Sequence, residues 1–473
     1  MNNIKALVAK YGINFMIDEI YKDPEKGARK IIDWADRFAQ DDFRVQISTV
    51  REVIENEDHP YHDYVLNLFR NLDKGVWRKL LVNFFLNANL ASWPELEKNR
   101  KKYNCNIPWA ILLDPTSACN LHCTGCWAAE YGNKLNLSFD EIDDIIRQGK
   151  ELGVYMYIYT GGEPLVRKND LIRICEKHDD CVFLCFTNGT LIDEAFADEM
   201  LRVGNFVPAI SLEGFENATD SRRGTGVYSH VMDAMNVLRE KRLPFGISAC
   251  YTSQNYESIS SEEFYDFMIR EGALFVWFFH YMPVGNDASI KLLPTPEQRK
   301  GMYERIRKYR ETKPLFAMDF QNDAEFVGGC IAGGKRYLHI NANGDVEPCA
   351  FIHYSDSNIR EKTLLEALQS PLFMEYHRGQ PFNDNMLRPC PLLDNQGRLA
   401  EMVDASGAHS TDLQNPEDVH VLCGKCKAAA DCWAVTSQEL WEQSGGPEKW
   451  AAKKEKLKER DEKIKAGLAG KQK

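Results

Sequence analysis

Three cysteines crowd one short stretch, DPTSACNLHCTGCWAAEYG, as Cys119, Cys123 and Cys126. Their spacing is C-x3-C-x2-C, with no fourth cysteine close by. Three thiolates can hold an iron–sulfur cube by three of its irons and leave the last iron open. A structural zinc site usually closes with four protein ligands, and a ferredoxin cube takes four cysteines. A lone triplet therefore points to a cluster that binds a small molecule. Further along stands YTGGEPL, with Gly161, Gly162, Glu163 and Pro164. Alone, this is a turn, because Gly and Pro favour turns. Beside the triplet, the plain-turn reading loses most of its weight.

Both motifs follow strand-like runs. The strand candidates are Trp109–Asp114, Val154–Thr160, Val182–Thr187, Phe206–Leu212, Phe245–Tyr251 and Leu274–His280, each short and rich in β-branched or aromatic residues. Helical patterns separate them. One opens with a capping-box signature at Ser138 and Glu141, and another spans Tyr228–Lys241. Strand–helix units in series argue for a parallel sheet, closed or partly closed into a barrel. In such barrels the active site gathers at the C-terminal ends of the strands, where both motifs stand.

The triplet after the first strand and GGEP after the second resemble the radical S-adenosylmethionine superfamily, from about Trp109 to Gly285. The resemblance implies a partial (β/α)6 TIM-like barrel and a [4Fe-4S] cluster on Cys119, Cys123 and Cys126. Its open iron would chelate the amino and carboxylate groups of S-adenosyl-L-methionine. One electron would then break the sulfonium bond, and a 5′-deoxyadenosyl radical would take hydrogen from a substrate carbon. The resemblance assigns GGEP to the cofactor's amino group. It makes Asn188 in TNGT, and Ser211 and Glu213 in ISLEG, contacts of its ribose and methionine. Arg222 and Arg223 follow in DSRRGTG. A guanidinium fork there matches the methionine carboxylate, and the sequence leaves open which arginine supplies it. YMPVG, Tyr281–Gly285, resembles the segment against which the adenine rests. One departure is Gly125, where relatives carry an aromatic residue. Trp127 follows the third cysteine and is the ring available in its place.

A second cysteine set lies late: Cys330, Cys349, Cys390, Cys423, Cys426 and Cys432. C-x13-G-x4-C through Gly344 resembles the opening of the SPASM/twitch extension, which holds auxiliary iron–sulfur clusters. C-x2-C-x5-C matches its later part, but the next position is Thr436 instead of cysteine. The resemblance implies at least one auxiliary cluster, on Cys330, Cys349 and Cys390 with a further ligand from the late group or from outside. Zinc on part of the late set is the alternative. Cys105, Cys175, Cys181, Cys185 and Cys250 lie in helix or strand patterns and read as small buried hydrophobes.

The remaining sequence frames these sites. Residues 1–105 read as a helical domain, in which Trp77, Leu80, Leu81, Phe84 and Phe85 form one apolar stripe. Residues 106–320 would be the barrel and 321–445 a small cysteine-rich α+β domain, with a hairpin turning at Asn343 and Gly344. Residues 446–473 read as a charged, solvated helix and tail. Of 473 residues, 44% are hydrophobic, and no run reaches the 18 or more apolar residues of a membrane span. MNNIKALVAKYG lacks a signal-peptide pattern, so the expected compartment is the cytoplasm. There, 14 cysteines point to cluster ligation and not to disulfides. A net charge of −12 disfavours nucleic acid as a partner.

These features lead to an expected radical oxidoreductase, modifying a peptide or protein side chain or, alternatively, a lipid or small metabolite. By resemblance, a flavodoxin or ferredoxin donates the electron. The competing class is a non-catalytic electron-transfer protein with iron–sulfur centres.

Overall fold

A computed structural model describes residues 21–38, 41–128, 132–285 and 288–456. Its centre is a nine-stranded sheet in the order β7-β6-β5-β4-β3-β2-β1-β8-β9. Strands β1 (Ala110–Leu113), β2 (Met156–Tyr159), β3 (Val182–Thr187), β4 (Phe206–Ser211), β5 (Gly246–Tyr251) and β6 (Phe275–His280) fall on the six expected runs, each shortened or matched at its ends. Helices return the chain between them, and all neighbouring pairs from β1 to β7 are parallel. The expected capping box forms: Ser138 Oγ accepts from the Glu141 N–H at 3.1 Å and Glu141 accepts from the Ser138 N–H at 2.6 Å. The sheet core is apolar on its helix side, where Tyr157 donates to the Ile146 carbonyl of the helix Phe139–Leu152.

Two further parallel strands extend the expected six. β7 (Phe316–Asp319) adds beyond β6, and β8 (Tyr337–Ile340) adds beside β1. FAMD is too short and mixed to read as a strand; it becomes one because β6 offers an edge. β8 turns through Asn343 and Gly344 into β9 (Val346–Glu347), the expected hairpin. The late domain is thus joined to the barrel by the sheet itself, with Leu112 opposite His339. A small antiparallel pair, β10 (Tyr354–Ser355) with β11 (His409–Ser410), and several helices complete it.

The early helices close the opposite end of the barrel. Their side chains bond backbone at strand starts: Tyr64 donates to the Leu274 carbonyl at 2.7 Å, Tyr61 to Leu315 at 2.8 Å and Asn83 to Cys181 at 2.7 Å. Trp109, at the start of β1, donates back to the Ala88 carbonyl at 2.9 Å. The apolar stripe holds only in part. Trp77, Leu80 and Leu81 are buried, but Phe85 is 46% exposed. Phe85 stays beside Trp77, rings edge-on at 6.2 Å, but it lies in a π-helical segment, Leu81–Ala91, whose wider turn departs from the α-helical spacing assumed for the stripe.

The segment after residue 445 also differs from a solvated tail. Trp450 is buried with Trp433, Trp441 and Tyr303, and Lys453 donates to the Glu325 carbonyl at 2.8 Å. Residues 457–473 of that expected tail, and residues 1–20 of the helical domain, lie outside the described residues.

Candidate active site

The triplet lies on the loop leaving β1. Cys119 is exposed, Cys123 and Cys126 are half-buried, and all three are free thiols. Although Cys119 presents surface to solvent, crowding by the loops pushes its thiol up to about 11, with lesser contributions from Glu163, Cys123 and Cys126. Burial, then Cys123, raises Cys126 likewise. These thiols must lose protons on metal ligation, which couples cluster binding to pH.

Glycines let neighbouring loops press on this one. A Cβ at Gly162 would sit 2.3 Å from the Ala118 carbonyl oxygen. One at Gly285, in YMPVG, would sit 2.4 Å from the Cys126 carbonyl oxygen. Gly125 has φ +66°, and a Cβ there would lie 2.8 Å from Tyr281 Cε2. This explains the missing aromatic: the ring above that position is Tyr281, so a side chain on residue 125 has no room. Trp127 places its own ring among His339, Phe351 and His353, with centroids 5.6, 6.0 and 6.1 Å away.

Glu163 is buried, and its carboxylate is spent on the protein. Oε1 accepts from Thr187 Oγ1 at 2.7 Å and the Leu165 N–H at 2.9 Å, and Oε2 accepts from the Asn188 N–H at 2.7 Å. Burial raises its pKa against these hydrogen bonds. It ties the loop after β2 to the end of β3, leaving Gly161, Gly162 and Pro164 to shape the backbone. Asn188 also donates to Asn120 Oδ1 at 2.9 Å, reaching the cysteine loop. Ser211 stands half-buried at the end of β4.

Glu213 gathers both arginines. Its Oε1 accepts from Arg222 Nη1 at 2.6 Å and from Arg223 Nε at 2.9 Å and Nη2 at 2.5 Å. Its Oε2 is buried and has no hydrogen-bond partner among the described residues. Arg222 Nε also donates to the Thr124 carbonyl at 3.3 Å, and Arg223 Nη1 approaches Cys123 Sγ at 4.0 Å. A cavity of about 130 Å³ opens here, lined by Thr124, Ala218, Ser221, Arg222, Thr252 and Asn255 among others. The resemblance made Glu213 a contact of the cofactor's ribose and methionine; in the structure it is the counter-ion of two guanidinium groups beside the cysteine loop.

The late cysteines divide. Cys330 and Cys390 are half-buried and Cys349 is buried, and electrostatic coupling joins Cys330 to each of the other two. The buried Tyr376 feels Cys330, Cys349, Cys390 and Cys423 together. Tyr337 donates to Cys349 Sγ at 2.6 Å. Cys423 and Cys426 lie on the buried face of the helix Val419–Gln443, while Cys432 is exposed. Nine residues of α-helix turn Cys432 about 180° from Cys423, so the helix does not bring the three together. Among the described residues, no three His, Cys, Asp or Glu side chains are grouped to hold a single metal ion.

The donor set fits iron–sulfur clusters on a second ground. Backbone N–H groups point at the sulfurs: Leu121 to Cys119 at 3.4 Å, Phe351 to Cys349 at 3.5 Å and Leu393 to Cys390 at 3.4 Å. Ala128 serves Cys126, and Ala332 serves Cys330, in the same way. Such bonds tune cluster potential. Cys181 and Cys185 instead donate their own S–H groups, to Asp180 and to the Phe186 carbonyl. This distinction is invisible in cysteine spacing.

Residues 113–268 match the family described as the radical SAM superfamily, and residues 330–391 match the SPASM iron–sulfur cluster-binding domain. The AdoMet-dependent heme synthase of Methanosarcina barkeri is 26% identical over 290 residues, covering 55% of this chain and 82% of the relative. The PqqA peptide cyclase of Granulibacter bethesdensis is 26% identical over 313 residues, covering 61% and 80%. Streptococcus suis SuiB bound to S-adenosylmethionine shares the fold, with TM-score 0.52 at 21% identity, over 74% of this chain and 82% of that one.

Proposed function

We propose that this chain, a radical SAM superfamily enzyme with a SPASM domain behind its barrel, is an oxidoreductase whose Cys119, Cys123 and Cys126 hold the catalytic [4Fe-4S] cluster. When bound, the cluster and S-adenosylmethionine supply homolytic activation of a substrate C–H bond. The chain's own residues position that chemistry. The Glu163 ties hold the loop after β2 against Ala118, so backbone carbonyls of the Gly161–Glu163 turn are the acceptors for the cofactor's ammonium. The arginines held by Glu213 offer positive charge to its carboxylate. Tyr281, packed over Gly125, is the ring for its adenine. Asn188 and Ser211 stand at strand ends that face its ribose.

The observation that carries this reading is the free triplet on the β1 loop, pressed by Gly162 and Gly285 and flanked by paired arginines. Cys330, Cys349 and Cys390, with a further ligand from the buried face of Val419–Gln443, would hold one auxiliary cluster. Relatives of equal identity are named for work on peptides and for heme synthesis, so likeness supports a peptide or a small-molecule substrate alike. A low-potential flavodoxin or ferredoxin would supply the electron.

The test is anaerobic cluster reconstitution and reduction with dithionite in the presence of S-adenosylmethionine. The enzyme should release methionine and 5′-deoxyadenosine, and a mere electron carrier should release neither. Cys123→Ala should end that cleavage while leaving auxiliary iron in place. Persistent cleavage in the variant would overturn the assignment.

A further inference from the structure

The two faces of the barrel sheet are packed differently. Ile111, Leu113, Tyr157, Tyr159, Phe183 and Cys185, which alternate toward the helices, are completely buried. Along one inward row Leu112 keeps 8%, Ile158 2% and Leu184 6% of its surface. A closed barrel of this class fills its interior with side chains. This one retains accessible space.

Rings border that space. Phe186, Trp277, Phe279, Phe320, Phe351 and Trp127 are each half-buried. Phe186 lies 5.6 Å from Trp277 and 5.5 Å from Phe279, centroid to centroid. Phe279 continues to Phe320 at 5.3 Å and to Phe351 at 6.2 Å, and Phe351 to Trp127 at 6.0 Å. The chain of rings therefore runs from the barrel interior to the residue after Cys126. β4 and β5 present small residues between the ring-bearing strands, and the Phe275 ring fills the space over Gly246. Ala209 and Gly246 share a row with Phe186, and Ser211 and Ser248 one with Trp277. The inward positions of β3 to β6 carry no carboxylate and no basic side chain.

Resting on the radical reading above, we infer that this wall receives the substrate as a flat, uncharged ring, aromatic or conjugated, with its reacting carbon toward the cysteine loop. Ring faces stack offset or edge-on at such separations. Along these rings a charged body would lose its water, and the nearest charges, Arg222, Arg223 and Glu213 beside Cys250, are engaged with one another. Ser248 on β5 supplies a polar contact of the kind that fixes orientation in an apolar site. The ring's source is either a free small molecule or an aromatic side chain on a peptide.

Equilibrium dialysis of the anaerobically reconstituted holoenzyme with S-adenosylmethionine tests this. The probes are indole, the tripeptide Gly-Trp-Gly and cyclohexanol. The indole ring, free or in the tripeptide, should bind about tenfold tighter than cyclohexanol, the size of one good aromatic contact. Trp277→Ala and Phe351→Leu should each weaken it severalfold, and Trp277→Phe should restore most of the loss. Tighter tripeptide than indole assigns the ring to a peptide, and the reverse assigns it to a small molecule. Equal binding of cyclohexanol, or unchanged binding in both Phe351→Leu and Trp277→Ala, overturns the proposal. Wild-type cleavage of S-adenosylmethionine without any probe is read separately. Its absence sinks the radical reading and leaves ring binding to be judged by dialysis alone.

Discussion

His339 on β8 bonds Asp114 at the end of β1, Nε2 to Oδ1 at 2.8 Å, although 225 residues separate them. Its Nδ1 meets Glu347 Oε2 at 2.6 Å. Asn341 donates to the other Glu347 oxygen at 3.0 Å, and the Trp127 ring stands edge-on against the imidazole. All three ionisable groups are buried. One imidazolium between two carboxylates thus clamps the late domain to the barrel beneath the cysteine loop.

This clamp makes stability depend on pH. Burial opposes charge on His339, but Asp114 and Glu347 outweigh it and raise the group from 6.5 to about 10. Burial also raises Asp114 against the pull of His339. The doubly bracketed imidazole decides the pair, and it is the charged partner. A raised folded pKa means stabilisation that is complete below about pH 6.5 and is lost as pH climbs through about 10. Urea midpoints measured from pH 6 to 10 should fall for the wild type. His339→Gln should flatten that fall and lower the midpoint at pH 7, since orphaning buried charge costs about 3–5 kcal/mol. A wild-type midpoint flat over this window would remove the imidazolium from the clamp.

Gly162 governs the fit of GGEP to the cysteine loop. An added Cβ would lie 2.3 Å from the Ala118 carbonyl oxygen and 2.6 Å from that of Ser117. Backbone cannot yield as a flexible side chain does, so Gly162→Ala must displace one loop. We expect overpacking of about 1–3 kcal/mol and loss of iron from the first site, with auxiliary iron retained. Iron per chain after reconstitution, together with 5′-deoxyadenosine yield, measures both.

The barrel was legible because its strands are short apolar runs with helix caps between them. Six of its strands fall where composition put them. β7 was not, because an edge strand borrows its stability from a neighbour that sequence does not display; β8 was legible as the first run of the hairpin at Asn343 and Gly344, but its parallel place beside β1 was not. The triplet and GGEP carried their chemistry openly, but the role of Glu163 did not. Its partners at Thr187 and Asn188 come from another strand end. The same holds for Gly125, whose reason is a tyrosine far along the chain, and for Phe85, which lies in a π-helical segment. Spacing also grouped Cys432 with Cys423 and Cys426. Continuous helix sets Cys432 on the opposite face.

That placement separates the late cysteines by experiment. Cys390 receives the Leu393 N–H and is coupled to Cys330, whereas Cys432 is exposed. Cys390→Ser should lower the auxiliary iron and its visible absorption. Cys432→Ser should change neither. Iron lost from Cys432→Ser, with Cys390→Ser unaffected, would reverse the ligand assignment.

Glu213 supplies the last expectation. One oxygen of the buried carboxylate answers two half-buried guanidinium groups, and the other has no partner among the described residues. Glu213→Gln keeps the shape and removes the charge, leaving Arg222 and Arg223 to repel one another beside Cys123. Breaking a buried pair in this way costs about 3–5 kcal/mol, part of it paid in stability and part in cofactor affinity. Dialysis of S-adenosylmethionine against the reconstituted protein should show weaker binding in Glu213→Gln. Arg222→Ala and Arg223→Ala then identify which fork meets the methionine carboxylate, because only that variant should lose affinity when the full cofactor is compared with 5′-deoxyadenosine. Equal losses toward both molecules would mean that the arginines hold the loop and touch no carboxylate.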